Sequence, residues 1–109
     1  MYEIRTESVP MTAALESAVL RKVEWLKRFH PGVIRCRVTL AGPGPHHRHG
    51  DYRVKLMLHV RGAWITATGN PHASIRAALT SAFHVARRCL EDQLQVRRHQ
   101  EARRRDPVV

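Results

Sequence analysis

Two segments of this chain alternate apolar residues with positively charged ones, and this alternation constrains the fold more than any other feature. The segments are residues 34–40 and 52–60, and most positions between their apolar residues are Arg, Lys or His. A repeat of two residues is that of a β-strand, in which successive side chains point to opposite faces. We therefore expect two strands that bury one face and present a mostly cationic face to solvent.

The overall charge narrows the class of partner. The 109 residues include 19 Lys and Arg against 9 Asp and Glu, a formal net charge of +10. This excess favours nucleic acid or anionic lipid as partner. No apolar run approaches the roughly 20 residues needed to cross a bilayer, and the first residues lack the layout of a signal peptide. We expect a small cytosolic domain that has no membrane partner.

The remaining elements follow from the spacing of apolar residues. Residues 2–6 alternate and predict a first strand. Residues 11–29 predict a helix capped by Ser8 or Thr12 and ended by Pro31-Gly32. The helix has one apolar stripe, formed by Leu15, Val19, Val23 and Leu26. Strands at residues 33–40 and 51–60 follow, separated by a loop rich in glycine and proline.

Arg61-Gly62 predicts a two-residue hairpin turn, because glycine supplies the positive φ that such a turn needs. The expected register pairs Val60 with Ala63, Leu58 with Ile65 and His59 with Trp64. Asn70-Pro71 predicts the start of a second helix that continues to about residue 98. Residues 1–98 then form one domain, and residues 99–109 form a basic, disordered tail.

Together these elements predict an α+β fold with two layers in the order β-α-β-β-β-α. The first two strands should be parallel, because a helix connects them, and the last three should form an antiparallel meander. Both helices should pack on the single apolar face of the four-stranded sheet. The other face is then bare, and two copies of the chain could pair through it.

Several segments resemble the ribosome hibernation promoting factor family, also called ribosome-associated inhibitors. Residues 11–29 resemble its first helix, and residues 74–79 the start of its second. Residues 45–50, Pro-His-His-Arg-His-Gly, and residues 86–92, Ala-Arg-Arg-Cys-Leu-Glu-Asp, resemble a subgroup with a His-rich loop. The resemblance covers residues 2–98 and is to the short form of the family, without the additional domain that long members use to pair ribosomes.

The resemblance implies binding to ribosomal RNA on the small subunit, where the protein occupies the decoding channel and inhibits translation during hibernation or stress. By position, Lys22 matches a lysine of the family's first helix, and Arg88 a basic position of the second. The chain departs from better-known members at Val85, Glu91 and Asp92, where those members have several lysines. Part of the family's RNA contact is therefore expected to be missing or moved.

The residues and the resemblance together give a set of candidate RNA contacts, because arginine and lysine bind phosphate oxygens and release counterions. The alternative is a charged surface that is merely solvated. Trp64 is a candidate for stacking an unpaired base, unless long side chains cover it. The cationic candidates are Arg21, Lys22, Arg28, Arg35, Arg37, Arg53, Lys55, Arg87 and Arg88.

His46, His47 and His49 are the only candidate metal cluster, since imidazoles are common ligands of transition metals. The loop that carries them has no cysteine, and the neighbouring Arg48 and Arg53 oppose a cation. Hydrogen bonding to RNA or a pH-sensitive positive charge is therefore the preferred role, and no cofactor is expected. Cys36 and Cys89 are expected to be free thiols.

No phosphate-binding loop, nucleophile elbow or pair of catalytic carboxylates is present in the sequence, which favours a protein that is not an enzyme. Two other functions stay open. One is a regulatory module that binds another protein through the open sheet face, and the other is a generic double-stranded RNA-binding domain.

Overall fold

Six elements follow one another in the predicted order. They are β1 (Tyr2–Glu7), α1 (Ala13–Phe29), β2 (Val33–Ala41), β3 (Arg53–Val60), β4 (Ala63–Thr68) and α2 (Ile75–Arg105). The computed structural model describes residues 2–43 and 51–105, and for residue 97 and residues 99–105 it describes the backbone alone. The α+β class and the element order predicted from the sequence are confirmed.

The strands form one sheet in the order β1-β2-β3-β4. β1 is parallel to β2, and the other neighbouring pairs are antiparallel. The hairpin turn between β3 and β4 contains Gly62 at a φ of 80°. The register predicted from this turn is confirmed, since His59 pairs with Trp64 and Val60 with Ala63.

Both helices lie on one face of the sheet, and the core consists of the apolar residues buried between the helices and this face. α1 contributes the predicted stripe from Leu15 to Leu26, and α2 contributes Phe83, the largest fully buried side chain. The approach of α2 to β4 is close at Gly69, where an added Cβ would lie 2.6 Å from the amide nitrogen of Ala82. Glycine is required there because any side chain would meet the helix backbone.

β2 contains a bulge that the alternating pattern did not predict. Ile34 was expected on the buried face, but it is 54% exposed, while its neighbour Val33 is buried. The register shifts between Val33 and Arg35, so that Ile34 is an extra residue in the strand. A bulge changes which side chains face inward, and the predicted alternation holds from Arg35 onward.

The helix starts differ in how well they were predicted. The Thr12 side chain caps α1 by accepting a hydrogen bond from the Leu15 amide at 3.1 Å. The start of α2 was wrongly predicted at Asn70-Pro71, because His72 first forms two backbone hydrogen bonds with Tyr52. α2 therefore begins at Ile75, and the Ser74 hydroxyl accepts from the amide of residue 77.

The end of α2 also differs from the prediction. The helix continues to Arg105 instead of ending near residue 98, whereas the disordered tail predicted for residues 99–109 stays a prediction. Residues 75–105 contain no glycine or proline, and most residues near the end of the helix are good helix formers. Within the described residues, neither helix has the length and apolar character that crossing a membrane would require.

Candidate nucleic-acid interface

The predicted cationic strand residues lie on the face of the sheet opposite the helices, which we call the outer face. Its described members are Glu3, Arg5, Glu7, Arg35, Arg37, Thr39, Ala41, Arg53, Lys55, Met57, His59, Trp64, Thr66 and Thr68. The structure thus brings together Arg35, Arg37, Arg53 and Lys55, as the alternation predicted. Ion pairs of these cations then decide how much charge the face offers to a partner.

β1 adds two carboxylates to the outer face, those of Glu3 and Glu7. The Glu3 carboxylate accepts hydrogen bonds from Arg5 at 3.1 Å and from Arg37 at 3.2 Å. These two guanidinium groups lower the pKa of the Glu3 carboxyl. Glu7 lies on the same face but has no ion pair among the described residues. The face therefore has three cations without an acidic partner in the described structure, Arg35, Arg53 and Lys55.

Trp64 is paired with His59 across β3 and β4. The two rings are stacked, with centroids 4.5 Å apart and planes inclined by only 10°. Trp64 nevertheless remains 53% exposed, so the histidine covers part of the indole and leaves the rest open to solvent. The long side-chain stems expected as an alternative cover do not bury it.

The candidate RNA contacts on α1 and α2 lie in the helical layer, on the side of the sheet opposite the outer face. Arg21, Arg28 and Arg88 are exposed, and Lys22 is half-buried. None of these four has an ion pair among the described residues. Since the helices cover the inner face of the sheet, these cations and those of the outer face form two separate groups. The structure does not combine all nine predicted cations into one surface.

Arg87 differs from the other helix candidates because it packs between the helices. Its guanidinium carbon lies 4.4 Å from the centroid of the Phe29 ring and 5.7 Å from that of Trp25. It also pairs with Glu91 at 3.4 Å along α2. His84 contacts the same Trp25 edge-on, with centroids 5.9 Å apart. These contacts give Arg87 a role in joining α1 to α2 that sequence spacing could not reveal.

His46, His47 and His49 lie outside the described residues, so the metal prediction stays a prediction. Within residues 2–43 and 51–105, no group of three or more His, Cys, Asp or Glu side chains could hold a metal ion. Cys36 and Cys89 are both free thiols. Burial raises the pKa of the Cys36 thiol to about 11.

Residues 2–104 match the protein family described as sigma 54 modulation protein / S30EA ribosomal protein. The chain belongs to this S30EA family. Membership confirms the resemblance to ribosome hibernation factors that the helix segments and the His-rich loop predicted. The S30EA family is one of ribosome-associated factors and is not a known family of enzymes. No curated protein sequence matches the chain.

Solved structures share the fold of this S30EA family member. A ribosomal subunit interface protein from Coxiella burnetii superposes with a TM-score of 0.74 at 11% identity, covering 86% of this chain and 97% of that one. The N-terminal domain of Protein Y from Thermus thermophilus gives 0.69 at 17% identity, covering 84% and 96%. At such low identity the likeness shows the fold alone, and the contact residues stay predictions.

Proposed function

We propose that this protein binds ribosomal RNA on the small ribosomal subunit and inhibits translation by occupying the decoding channel. Membership of the S30EA family supports a ribosomal partner, and one structural neighbour is itself called a ribosomal subunit interface protein. We infer from this ribosomal partner that the protein acts in the cytoplasm, during hibernation or stress.

The single observation that carries the proposal is a large set of exposed or half-buried cations without acidic partners. Of the nine predicted cationic contact residues, two form ion pairs with described carboxylates, Arg37 with Glu3 and Arg87 with Glu91. Seven predicted contact residues therefore remain available for phosphates: Arg21, Lys22, Arg28, Arg35, Arg53, Lys55 and Arg88. Each phosphate that these residues neutralise would release condensed counterions and so favour binding.

Binding alone is sufficient as a mechanism. A rigid domain with cations on both layers can contact RNA segments on two sides when it sits between them, as it would in a channel. Messenger and transfer RNA would then be excluded because the same space is filled. No bond is made or broken, which agrees with the absence of catalytic motifs in the sequence.

Sedimentation with purified small subunits over a salt series tests the proposal. For 6–10 phosphate contacts we expect the affinity to fall about 10³- to 10⁵-fold between about 50 and 200 mM salt. Failure to bind small subunits at low salt would refute the proposal. Binding that is undiminished at high salt would instead favour the alternative of a module that recognises a protein.

Two charge-reversal variants separate the layers. We expect Lys22→Glu with Arg88→Glu to abolish binding to subunits, while Arg53→Glu with Lys55→Glu tests the outer face with the same change in net charge. Retained binding by the helix variant would contradict the contacts carried over from the family. Comparing intact subunits with naked duplex RNA excludes a generic double-stranded RNA binder if the subunits bind more tightly.

The open face could also pair two copies, as the sequence suggested. The three cations without acidic partners on the outer face, Arg35, Arg53 and Lys55, would repel their counterparts in a second copy. We therefore propose that the protein is a monomer and that its outer face contacts RNA. Sedimentation equilibrium of the free protein at low salt checks this expectation.

A further inference from the structure

The bulge in β2 and the hairpin turn together place three unlike side chains in one row of the outer face. Arg35 of β2 pairs with His59 of β3, and His59 pairs with Trp64 of β4. The row therefore extends across three neighbouring strands. Two strand spacings separate the Cα atoms of Arg35 and Trp64 by about 9.5 Å. Ile34, the extra residue of the bulge, is exposed beside it.

The Trp64 ring is positioned before any partner arrives. Its stack on His59, at 4.5 Å and 10°, restricts the side-chain rotation that an isolated surface tryptophan would retain. A ring that is already ordered loses less conformational entropy when a second flat group stacks on it. The exposed half of the indole is then a flat, apolar surface of the size that one nucleobase covers.

We propose that Trp64 is a stacking platform for an unpaired base of RNA, that His59 is its positioning residue, and that Arg35 binds a phosphate of the same strand. This inference rests on the proposed function, since it names the feature of ribosomal RNA that the outer face recognises. Single-stranded nucleic acid is commonly bound in this way, by aromatic rings that receive bases and cations that follow the backbone.

Charge favours RNA over other occupants of this face. Arg35 has no acidic partner among the described residues, and neither have Arg53 and Lys55 further along the sheet. A second copy of the chain would bring the same cations against them. An acidic peptide would satisfy the cations, but it does not require a stacked aromatic pair in the same row. A strand of unpaired nucleotides matches both the charge and the ring.

Fluorescence of Trp64 provides a direct test. Trp25 is the other tryptophan and lies half-buried between the helices, so Trp25→Phe leaves Trp64 as the single reporter. The probes are a short oligouridylate and an abasic oligomer with the same number of phosphates. We expect the oligouridylate to quench the emission of Trp64 at low salt, and the abasic oligomer to bind without quenching.

Affinities of variants for the two oligomers complete the test. We expect Trp64→Ala to weaken binding of the oligouridylate about 5- to 150-fold, the effect typical of one lost stack, and to leave the abasic oligomer unaffected. Trp64→Phe should restore most of the difference, and His59→Ala should reduce it. Thr66→Ala, on the same strand and face, is the matched control and should change neither affinity.

The results distinguish this inference from the proposed function. Equal binding of both oligomers by wild type and Trp64→Ala, without quenching, would overturn the platform, and salt-dependent binding to small subunits would then still support the proposed function. Quenching by the oligouridylate without any binding to subunits would support the platform and refute the proposed function. Preference of the Trp64 surface for an acidic peptide over the oligouridylate would overturn the choice of RNA.

Discussion

Glu3 forms ion pairs with two of the five Arg and Lys side chains on the outer face. Removing its negative charge therefore tests whether that face binds RNA. The carboxylate accepts hydrogen bonds from both Arg5 and Arg37. Glu3→Gln preserves the size of the side chain but removes the charge that attracts the two guanidinium groups. The variant should therefore raise the number of cations available to phosphates from three to five.

The size of the effect follows from counterion release. Each neutralised phosphate contributes about 0.7 (single strands) to 0.9 (duplex) to the slope of log affinity against log salt. The three available cations of the outer face contribute about −2.1 to −2.7 to the total slope, and five would contribute about −3.5 to −4.5. We expect Glu3→Gln to steepen the slope by about 1.4 to 1.8 and to bind more tightly at low salt.

Affinity for small subunits, measured over a salt series, checks this prediction. The matched control is Glu7→Gln, which removes the same charge from the same strand and face, where no described cation is bound to it. The control should raise affinity slightly and leave the slope nearly unchanged. Equal slopes for the two variants would refute the argument that Glu3 withholds two arginines. No change with either variant would show that RNA does not contact the outer face.

Three further predictions concern stability and the helix layer. Arg87→Ala should lower the free energy of unfolding by about 1 kcal/mol, because it removes ring contacts and an ion pair. The neighbouring Arg88→Ala should leave the free energy of unfolding in urea within about 0.5 kcal/mol of wild type and weaken subunit binding. Gly69→Ala should lower the unfolding free energy by about 1–3 kcal/mol, since the new methyl meets the backbone of α2. Burial raises the pKa of the Cys36 thiol from its ordinary 9.0 to about 11, so the free energy of unfolding should fall by about 2–3 kcal/mol as the pH rises across that interval. Urea unfolding against pH should show this decline in wild type and in Cys89→Ala but not in Cys36→Ala.

The β3–β4 hairpin was predictable because its determinants are local. Arg61-Gly62 fixes the turn, and the alternation on either side admits a single register that buries the apolar residues. The bulge in β2 was not predictable in the same way. Val33 and Ile34 are both apolar, so the pattern does not reveal which of them faces the core.

The candidate site was predictable only in part, because contacts between distant segments decide which cations are available. The short first strand did not reveal that Glu3 would meet Arg37, which is 34 residues away in the chain. Likewise, the rings that hold Arg87 belong to α1, and helical spacing within α2 carries no information about them. The sequence therefore predicted on which face of the sheet the cationic strand residues lie. It did not predict the side chains that contact them, because those come from distant segments that only the fold brings together.

α2 is much longer than any described strand of the sheet on which it packs. The helix has 31 residues, about 46 Å at 1.5 Å per residue, whereas β2, the longest strand, has nine residues and spans about 30 Å. A coil would lose roughly 1–2 kcal/mol of backbone entropy for every residue ordered on contact, and a segment already helical avoids that loss. The helical backbone of α2 therefore continues past the length of the sheet's longest strand, and its last turns would contact a partner without a further loss of backbone entropy.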